Sequence, residues 1–395
     1  MSEPRLEVAD VFRQHEQEFF QRWGYALSAQ QLRTFRDICA CRTAALGAHI
    51  EECDNCSRQI IAYDSCRNRH CPKCQSTARD KWLTAQSADL LPVPYCHVVF
   101  TLPQELSTLA LQNPRLVYGL LFRAVSETLL TIAADPRRLG AHIGFLAVLH
   151  TWNQKILHHP HLHCLIPAGG LSLDRSRWIR CRQRFFLPVK VLGSLFRGKF
   201  LAFLGVAYRK KRLHLFGTLA YLRDPTAFGL FLRRLRSVNW VVYAKPPFGG
   251  PEHVIKYLAR YTHRVAISNG RLLEMRNGQV TFRWRDSANG NQQKEMSLDA
   301  VEFIRRFLLH VLPSGFMKIR HFGFLANRRR RQALALCRSL LPPTPVAVAH
   351  LLTETQQRAV ERKCPFCGTG TLHVIDRIPP GKPILITPAV YQDTS

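Results

Sequence analysis

The sequence is poor in acidic residues and contains no long apolar run. Lysine and arginine number 56 against 27 aspartates and glutamates, which gives a formal net charge of +29 at pH 7. A basic excess of this size predicts a polyanionic partner. No run of eighteen apolar residues occurs, and the start of the chain lacks the basic and apolar regions of a signal peptide. We therefore expect a soluble cytosolic protein that has no membrane partner.

Acidic residues are missing altogether from two segments. Residues 175–223 contain 13 basic side chains and no acidic one, and residues 317–338 contain seven basic side chains and none acidic. Phenylalanines interrupt the first segment, which favours a groove that follows a nucleic-acid backbone with some aromatic stacking, although many of them must belong to the core. The second segment predicts a helix with a phosphate clamp made of Arg328, Arg329, Arg330 and Arg331.

Thirteen cysteines in a reducing compartment indicate metal binding rather than disulfides. Two Cys-x-x-Cys pairs separated by fourteen residues have zinc-ribbon spacing and predict one closed, structural Zn²⁺ site made of Cys53, Cys56, Cys71 and Cys74. His49, Cys66 and His70 lie in the same segment, so ligand exchange or a second zinc stays open. Arg67 and Arg69 between the pairs make this small module a predicted DNA-facing element.

A further Cys-x-x-Cys pair, Cys364 and Cys367, is half of a zinc site. Cys337 or His373 are candidates to complete it. The alternatives are that the pair binds nothing or that it pairs across a dimer.

Two histidines lie on one predicted strand. His161 and His163 stand between Pro160 and Pro167, which suit the ends of a strand. Because side chains alternate in a strand, both imidazoles project from one face, about 7 Å apart, while Leu162, Cys164 and Ile166 face a core. This arrangement predicts a Mg²⁺ or Mn²⁺ site with open positions for phosphate oxygens. The preceding apolar strand, residues 144–152, forms a hairpin with this one and leaves three candidates for a third ligand: His150, Gln154 and His159.

Two tyrosines share a predicted helix that begins near Pro251. Tyr257 and Tyr261 are four residues apart and therefore lie on one helical face. The flanking cations Lys256, Arg260 and Arg264 suit phosphate binding better than core packing. The tyrosine hydroxyls are thus candidate nucleophiles.

Taken in order, these motifs resemble one known family. The segments 66–74, 150–154, 159–163 and 257–264 together are similar to the two-tyrosine HUH transposases of the insertion-sequence-91 family, which are relatives of rolling-circle replication initiators and relaxases. The resemblance covers most of the chain. It implies that a tyrosine attacks single-stranded DNA, forms a 5′-phosphotyrosine and releases a 3′-hydroxyl, and that the second tyrosine serves a second cleavage or the strand transfer.

We therefore predict a mixed α+β protein with an HUH-type antiparallel sheet, flanking helices and a zinc-ribbon-like module. The expected divisions are a helical and zinc-binding domain at 1–90, a catalytic domain at 91–325 and a basic C-terminal region at 326–395. The expected function is that of an insertion-sequence transposase in the bacterial cytosol or nucleoid. A plasmid or phage replication initiator of the same chemistry and a non-catalytic, zinc-dependent DNA-binding protein are the alternatives. The sequence does not specify an oligomeric state.

Overall fold

The computed structural model describes residues 6–87, 89–181, 187–248, 254, 265–286, 289–342 and 363–381. Its α-helices are α1 (Val8–Gln14), α2 (Glu16–Trp23), α3 (Ala29–Ala40), α4 (Pro72–Ser87), α5 (Ser107–Gln112), α6 (Pro114–Ala134), α7 (Val189–Arg209), α8 (Pro225–Ser237), α9 (Ala300–Leu308) and α10 (Arg330–Ser339). Short 3-10 helices cover Gly24–Ala26, Ala44–Leu46, Gln104–Leu106, Gly217–Arg223 and Asn269–Arg271. The strands are β1 (Ala48–Cys53), β2 (Gln59–Tyr63), β3 (Tyr95–Thr101), β4 (Ala141–His142), β5 (Gly144–Trp152), β6 (His158–Pro167), β7 (Gly169–Ser172), β8 (Trp178–Arg180), β9 (Val242–Phe248), β10 (Leu272–Arg276), β11 (Gln279–Asp286), β12 (Gln292–Asp299), β13 (Ile319–Gly323) and β14 (Leu372–Ile378).

The central sheet is antiparallel and has the strand order β13-β5-β6-β3-β9. Alternation along its strands separates two faces. Cys96, Val98, Phe100, Leu162 and Cys164 lie in the principal core with residues of α6 and α7, and the opposite face carries the histidines. The mixed α+β class with antiparallel sheets is therefore confirmed, as is the hairpin that joins β5 to β6.

Two core helices are apolar over a length that would cross a membrane. These are α6 and α7, of 21 residues each. Both contribute to the principal core: α6 buries residues such as Leu121 and Leu129, and α7 buries Phe196 and Phe200. Their apolar composition is explained by this packing.

The N-terminal helices share a second core with the meander β10–β12 and α9. The ring of Phe12 stacks on Phe35 at a centroid distance of 4.9 Å and meets the edge of Phe307 at 5.3 Å. His15 separates α1 from α2, and Ser28 caps the start of α3, with its hydroxyl accepting from the N–H of Gln31 at 3.3 Å.

The end of the chain returns to its beginning. Strand β14 pairs with β1 in a three-stranded sheet of order β14-β1-β2. The sequence analysis assigned 326–395 to a separate C-terminal region, but residues 363–381 complete the N-terminal zinc module. The reason is non-local strand pairing, which local patterns do not encode.

Asn277 and Gly278 join β10 to β11 with positive φ angles of 51° and 71°, whereas Asn269 and Gly270 lie in a 3-10 helix. Pro160 lies inside β6 rather than at its start. Its position faces the irregular pairing between His150 and Trp152 of β5, where a missing N–H is tolerated.

Candidate functional site

Three histidines converge on the face of the central sheet that lies opposite the principal core. His150 of β5 pairs with His161 of β6, and His163 pairs with Val148. Leu162, Cys164 and Ile166 are fully buried on the other face, as the alternation predicts. One ring nitrogen from each of His150, His161 and His163 lies within 4.8 Å of the other two. The hairpin register therefore creates a three-imidazole cluster.

The two β6 histidines direct their Nε2 atoms at each other across 3.1 Å. His161 Nδ1 lies 2.7 Å from the carbonyl oxygen of His159, which accepts its proton and leaves the lone pair on Nε2. Two imidazole nitrogens bound at about 2.1 Å and at right angles to each other on one ion are about 3 Å apart. The pair therefore fits a divalent metal.

A histidine that the sequence analysis did not nominate supports this pair from the neighbouring strand. His97 Nε2 lies 2.9 Å from His163 Nδ1, so that the Nδ1–H of a metal-bound His163 would donate to it. Burial, with the Lys245 ammonium nearby, lowers the pKa of His97 to about 3. Burial also lowers the pKa of His161 to about 4. Both rings are therefore neutral at pH 7, which suits His161 as a metal ligand and His97 as the hydrogen-bond acceptor of His163. Alternation in β3, which buries Cys96, Val98 and Phe100, could have identified His97.

Of the three proposed third ligands, the structure brings His150 to the pair. Its ring is buried and lies parallel to Trp152 at 4.7 Å. Gln154 lies in the turn beyond β5, where its backbone carbonyl accepts a hydrogen bond from Arg271 Nη2 at 2.6 Å. The His159 ring centroid is 5.4 Å from that of His161 at the entrance of the strand.

The candidate nucleophiles Tyr257 and Tyr261 lie outside the described residues, with Lys256, Arg260 and Arg264. Val254, three positions before the first tyrosine, is described and fully buried. It belongs to the same hydrophobic cluster as Leu146, Val148 and Leu165. Because these three share the sheet face of the histidines, the residue leading into the tyrosine segment packs on that face.

The cysteines form two clusters rather than the single site expected. One contains Cys41, Cys66, Cys71 and Cys74, and the other contains Cys53, Cys56, Cys364 and Cys367. The Sγ distances are 3.5 and 3.6 Å from Cys74 to Cys41 and Cys66, and 3.7 Å for the pairs Cys53–Cys367 and Cys56–Cys364. Four thiolates around zinc at about 2.3 Å are about 3.8 Å apart, so both clusters fit Zn²⁺.

The predicted grouping of Cys53 and Cys56 with Cys71 and Cys74 is wrong because the β1–β2 hairpin separates them. Cys53 ends β1 at the turn, whereas the other cluster lies at the opposite end of the hairpin, about 17 Å away along a six-residue strand. Two of the further zinc-ligand candidates make other contacts. His49 contacts Asp64 and Glu51 at 3.1 and 3.2 Å, and His70 Nε2 accepts a hydrogen bond from the Leu312 N–H. Only Cys66 is a ligand candidate.

The second cluster is shaped for four sulfurs. A Cβ at Gly370 would collide with the Cys53 sulfur, so a glycine is needed there. The Gly370 N–H and the Thr369 hydroxyl lie 3.3 and 3.6 Å from Cys367 Sγ and lower the pKa of that thiol to about 5. Cys337 is buried elsewhere, and His373 contacts Asp54 at 3.4 Å. Neither completes the pair as the sequence analysis expected.

The predicted DNA-binding side chains differ in their surroundings. Arg67, Arg328, Arg329 and Arg331 are exposed. Arg69 instead donates to the carbonyls of Leu312, Pro313 and Phe316. Phe196 and Phe200 of the first basic segment are core residues, and Phe203 packs under the Arg123 guanidinium at 4.0 Å. Phe185 and Phe186 fall outside the described residues.

Comparison with known proteins yields two family matches and two close relatives. A family described as "Putative transposase" matches residues 144–333, and one described as "Transposase zinc-binding domain" matches residues 11–102. The chain is 53% identical over 378 residues to "Putative transposase y4qJ" of Sinorhizobium fredii, covering 94% of this chain and 95% of that protein. It is 29% identical over 370 residues to "Transposase for insertion sequence element IS801" of Pseudomonas savastanoi pv. phaseolicola, covering 88% and 85%. No solved structure matches.

Proposed function

This chain belongs to the insertion-sequence-91 family of transposases, and we propose that it cleaves and rejoins single-stranded DNA at the histidine cluster through 5′-phosphotyrosine intermediates. The observation that carries the proposal is the 3.1 Å approach of the His161 and His163 Nε2 atoms beside buried His150. These neutral imidazoles could hold one divalent ion and leave its other positions for phosphate oxygens, and a Mg²⁺ or Mn²⁺ ion held there would polarise the scissile phosphate.

The covalent step is a transesterification. The hydroxyl oxygen of Tyr257 or Tyr261 attacks the phosphorus and loses its proton, and the bond from phosphorus to the 3′ oxygen breaks. The released strand ends in a 3′-hydroxyl, whose oxygen takes up a proton. The new ester conserves the bond for rejoining, so the reaction needs no external energy source. Val254, buried on the histidine face, supports this placement of the tyrosine segment.

The surrounding residues have separate roles in this proposal. Lys256 and Arg260 offset negative charge on the pentavalent transition state. His97 orients His163. The cysteine clusters hold structural zinc in the module that packs with α1, α3 and α9. The site of action would be the cytosol or nucleoid.

The metal assignment is tested by replacing His161 and His163 together with alanine. The double variant should lose nicking of single-stranded DNA in the presence of Mg²⁺ or Mn²⁺ and should keep strand binding, because the phosphate-binding cations remain. His142→Ala, which changes an exposed histidine of β4, is the matched control. Nicking by the double variant at the wild-type rate would refute the metal site.

A further inference from the structure

A basic cavity opens at the outer edge of the central sheet, beside β13. Its volume is about 740 Å³, which is within the range of cavities that hold small ligands. It lies between α4, the start of α10 and the segment 312–318. Among the described residues that line it, none is acidic, and six carry basic groups: Arg69, Arg115, Lys318, Arg320, His321 and Arg330.

The arginines of this cavity are held mainly by neutral groups. Arg69 donates to three backbone carbonyls of the segment 312–316, and Arg115 Nη2 donates to the Ser314 carbonyl at 2.5 Å. Arg320 Nε donates to the Met317 carbonyl, and its guanidinium lies 4.2 Å from the Phe122 ring centroid. Carbonyls and rings orient a guanidinium without cancelling its net charge. Among the described residues, Arg69, Arg115 and Arg320 are therefore positioned by groups that do not neutralise their charge.

Lys318 is a buried cation of this cavity. Burial, with the Arg69 guanidinium beside it, lowers the pKa of Lys318 to about 8. Such a shift means that the folded protein holds this ammonium at an electrostatic cost. Arg330 Nη1 lies 3.4 Å from the carboxylate of Asp89, a residue that does not line the cavity. One carboxylate against this many cations leaves a strongly positive cavity, which an anion would stabilise.

The cavity is close to the histidine cluster. Val148 of β5 pairs with His163 on one side and with Ile319 of β13 on the other, and Ile319 lines the cavity. Two strand spacings amount to about 10 Å. The start of α10 adds its positive helix end to the same place. A single DNA strand bound at the histidines would therefore have phosphates within reach of this cavity.

We propose that the cavity beside β13 binds phosphates of the single DNA strand next to the point of cleavage. Guanidinium forks and a lysine ammonium are the groups that recognise phosphate oxygens in proteins. The assignment of the ligand rests on the proposed function, because only that function identifies the anion as DNA.

The test is a binding measurement that does not depend on cleavage. We would measure the affinity of a labelled single-stranded oligonucleotide by fluorescence anisotropy at several salt concentrations, with Tyr257 and Tyr261 both changed to phenylalanine. In this background, Lys318→Met with Arg115→Gln removes two cavity charges. We expect about tenfold weaker binding and a slope of log affinity against log salt that is smaller by about 1.4, since each lost phosphate contact contributes about 0.7 for single strands.

Two control variants keep the result interpretable. Arg137→Gln with Arg138→Gln removes two exposed charges in the turn after α6 and should change affinity little. Lys318→Arg with Arg115→Lys retains the charges and should bind as the parent does. Equal weakening by the 137/138 pair would mean a general charge effect and would overturn the proposal, as would unchanged binding by the cavity variant. An equal loss for duplex DNA would overturn the assignment to a single strand.

The experiments distinguish a wrong assignment of the cavity from a wrong assignment of the phosphotyrosine chemistry. Adduct formation by protein with its native tyrosines reports on the chemistry alone. Strand binding that depends on Lys318 and Arg115 without any adduct would support the cavity and refute the phosphotyrosine step. Adduct formation, together with strand binding that does not depend on Lys318 and Arg115, would support the phosphotyrosine step and refute the cavity. If the protein bound no single strand at all, both proposals would fall.

Discussion

Cys53 and Cys367 are 314 residues apart in sequence, yet their sulfur atoms lie 3.7 Å apart. The contact closes the chain on itself, because β14 follows Cys367 and pairs with β1, which ends at Cys53. A zinc ion at this point would fix both the sheet and the cysteine cluster. The cluster of Cys41, Cys66, Cys71 and Cys74 shares no ligand with the cluster that contains Cys53 and Cys367. The two sites can therefore be removed one at a time.

The first prediction follows from this separation. Protein purified under reducing conditions should contain two zinc ions per chain by elemental analysis. Cys364→Ser with Cys367→Ser should leave one, and Cys71→Ser with Cys74→Ser should leave one at most, because that cluster is part of the second core. Cys39→Ser, which changes a half-buried cysteine outside both clusters, should retain two. A single zinc in the wild-type protein would contradict the two-site structure.

The second prediction concerns His97. Replacing it with alanine removes the acceptor 2.9 Å from His163 Nδ1, so affinity for Mn²⁺ should fall about 10- to 100-fold. The effect should appear as a higher Mn²⁺ requirement for nicking, with the rate largely restored at saturating metal. His97→Gln, which can still accept a hydrogen bond, should recover part of the affinity. A lower rate at saturating metal with an unchanged Mn²⁺ requirement would show that His97 does not position the ligand.

The third prediction concerns stability at low pH. His158 is buried between the Ser107 hydroxyl, 2.7 Å from Nδ1, and the Tyr118 hydroxyl, 2.8 Å from Nε2. Burial lowers the pKa of His158 to about 3. An unfolded chain, in which histidine titrates near 6.5, binds this proton first. The free energy of unfolding therefore falls as pH drops from about 6.5 toward 3, by about 1.4 kcal/mol per pH unit for this group.

Urea denaturation at pH 7.5, 6.0 and 5.0 measures this effect. His158→Gln should be less stable than wild type at pH 7.5, but the gap should narrow as the pH falls. Comparing the two proteins at each pH cancels the acid sensitivity of the zinc sites, which they share. A gap that stays constant over this range would mean that His158 is not held neutral in the folded protein.

Local patterns predicted the central sheet better than the zinc module. The bounds of β5, Gly144–Trp152, agree with the apolar strand expected at residues 144–152. The hairpin from β5 to β6 brings His150 to His161 for the same local reason. His97, by contrast, reaches His163 from β3, 66 residues earlier. Alternation in β3 indicates that His97 lies opposite the core face, but only the pairing of β3 with β6 identifies His163 as its partner.

The cysteine sites show the limit of spacing arguments. Two Cys-x-x-Cys pairs separated by fourteen residues fit one ribbon by spacing alone, and nothing local separates Cys53 from Cys71. The separation comes from the length of β1 and from the return of β14. Cys41, which the sequence analysis did not consider, follows α3 immediately and enters its cluster through helix packing.

Covalent capture of DNA shows whether the protein forms a phosphotyrosine. Single-stranded oligonucleotides that carry the element's ends, labelled at either the 5′ or the 3′ end, would be incubated with protein and Mn²⁺ and then boiled in detergent. A 5′-phosphotyrosine retains the downstream strand, so only the 3′ label should remain with the protein. The variant with Tyr257→Phe and Tyr261→Phe keeps both rings and should bind DNA but retain no label. An adduct that carries the 5′ label, or one that survives in the double variant, would contradict the account.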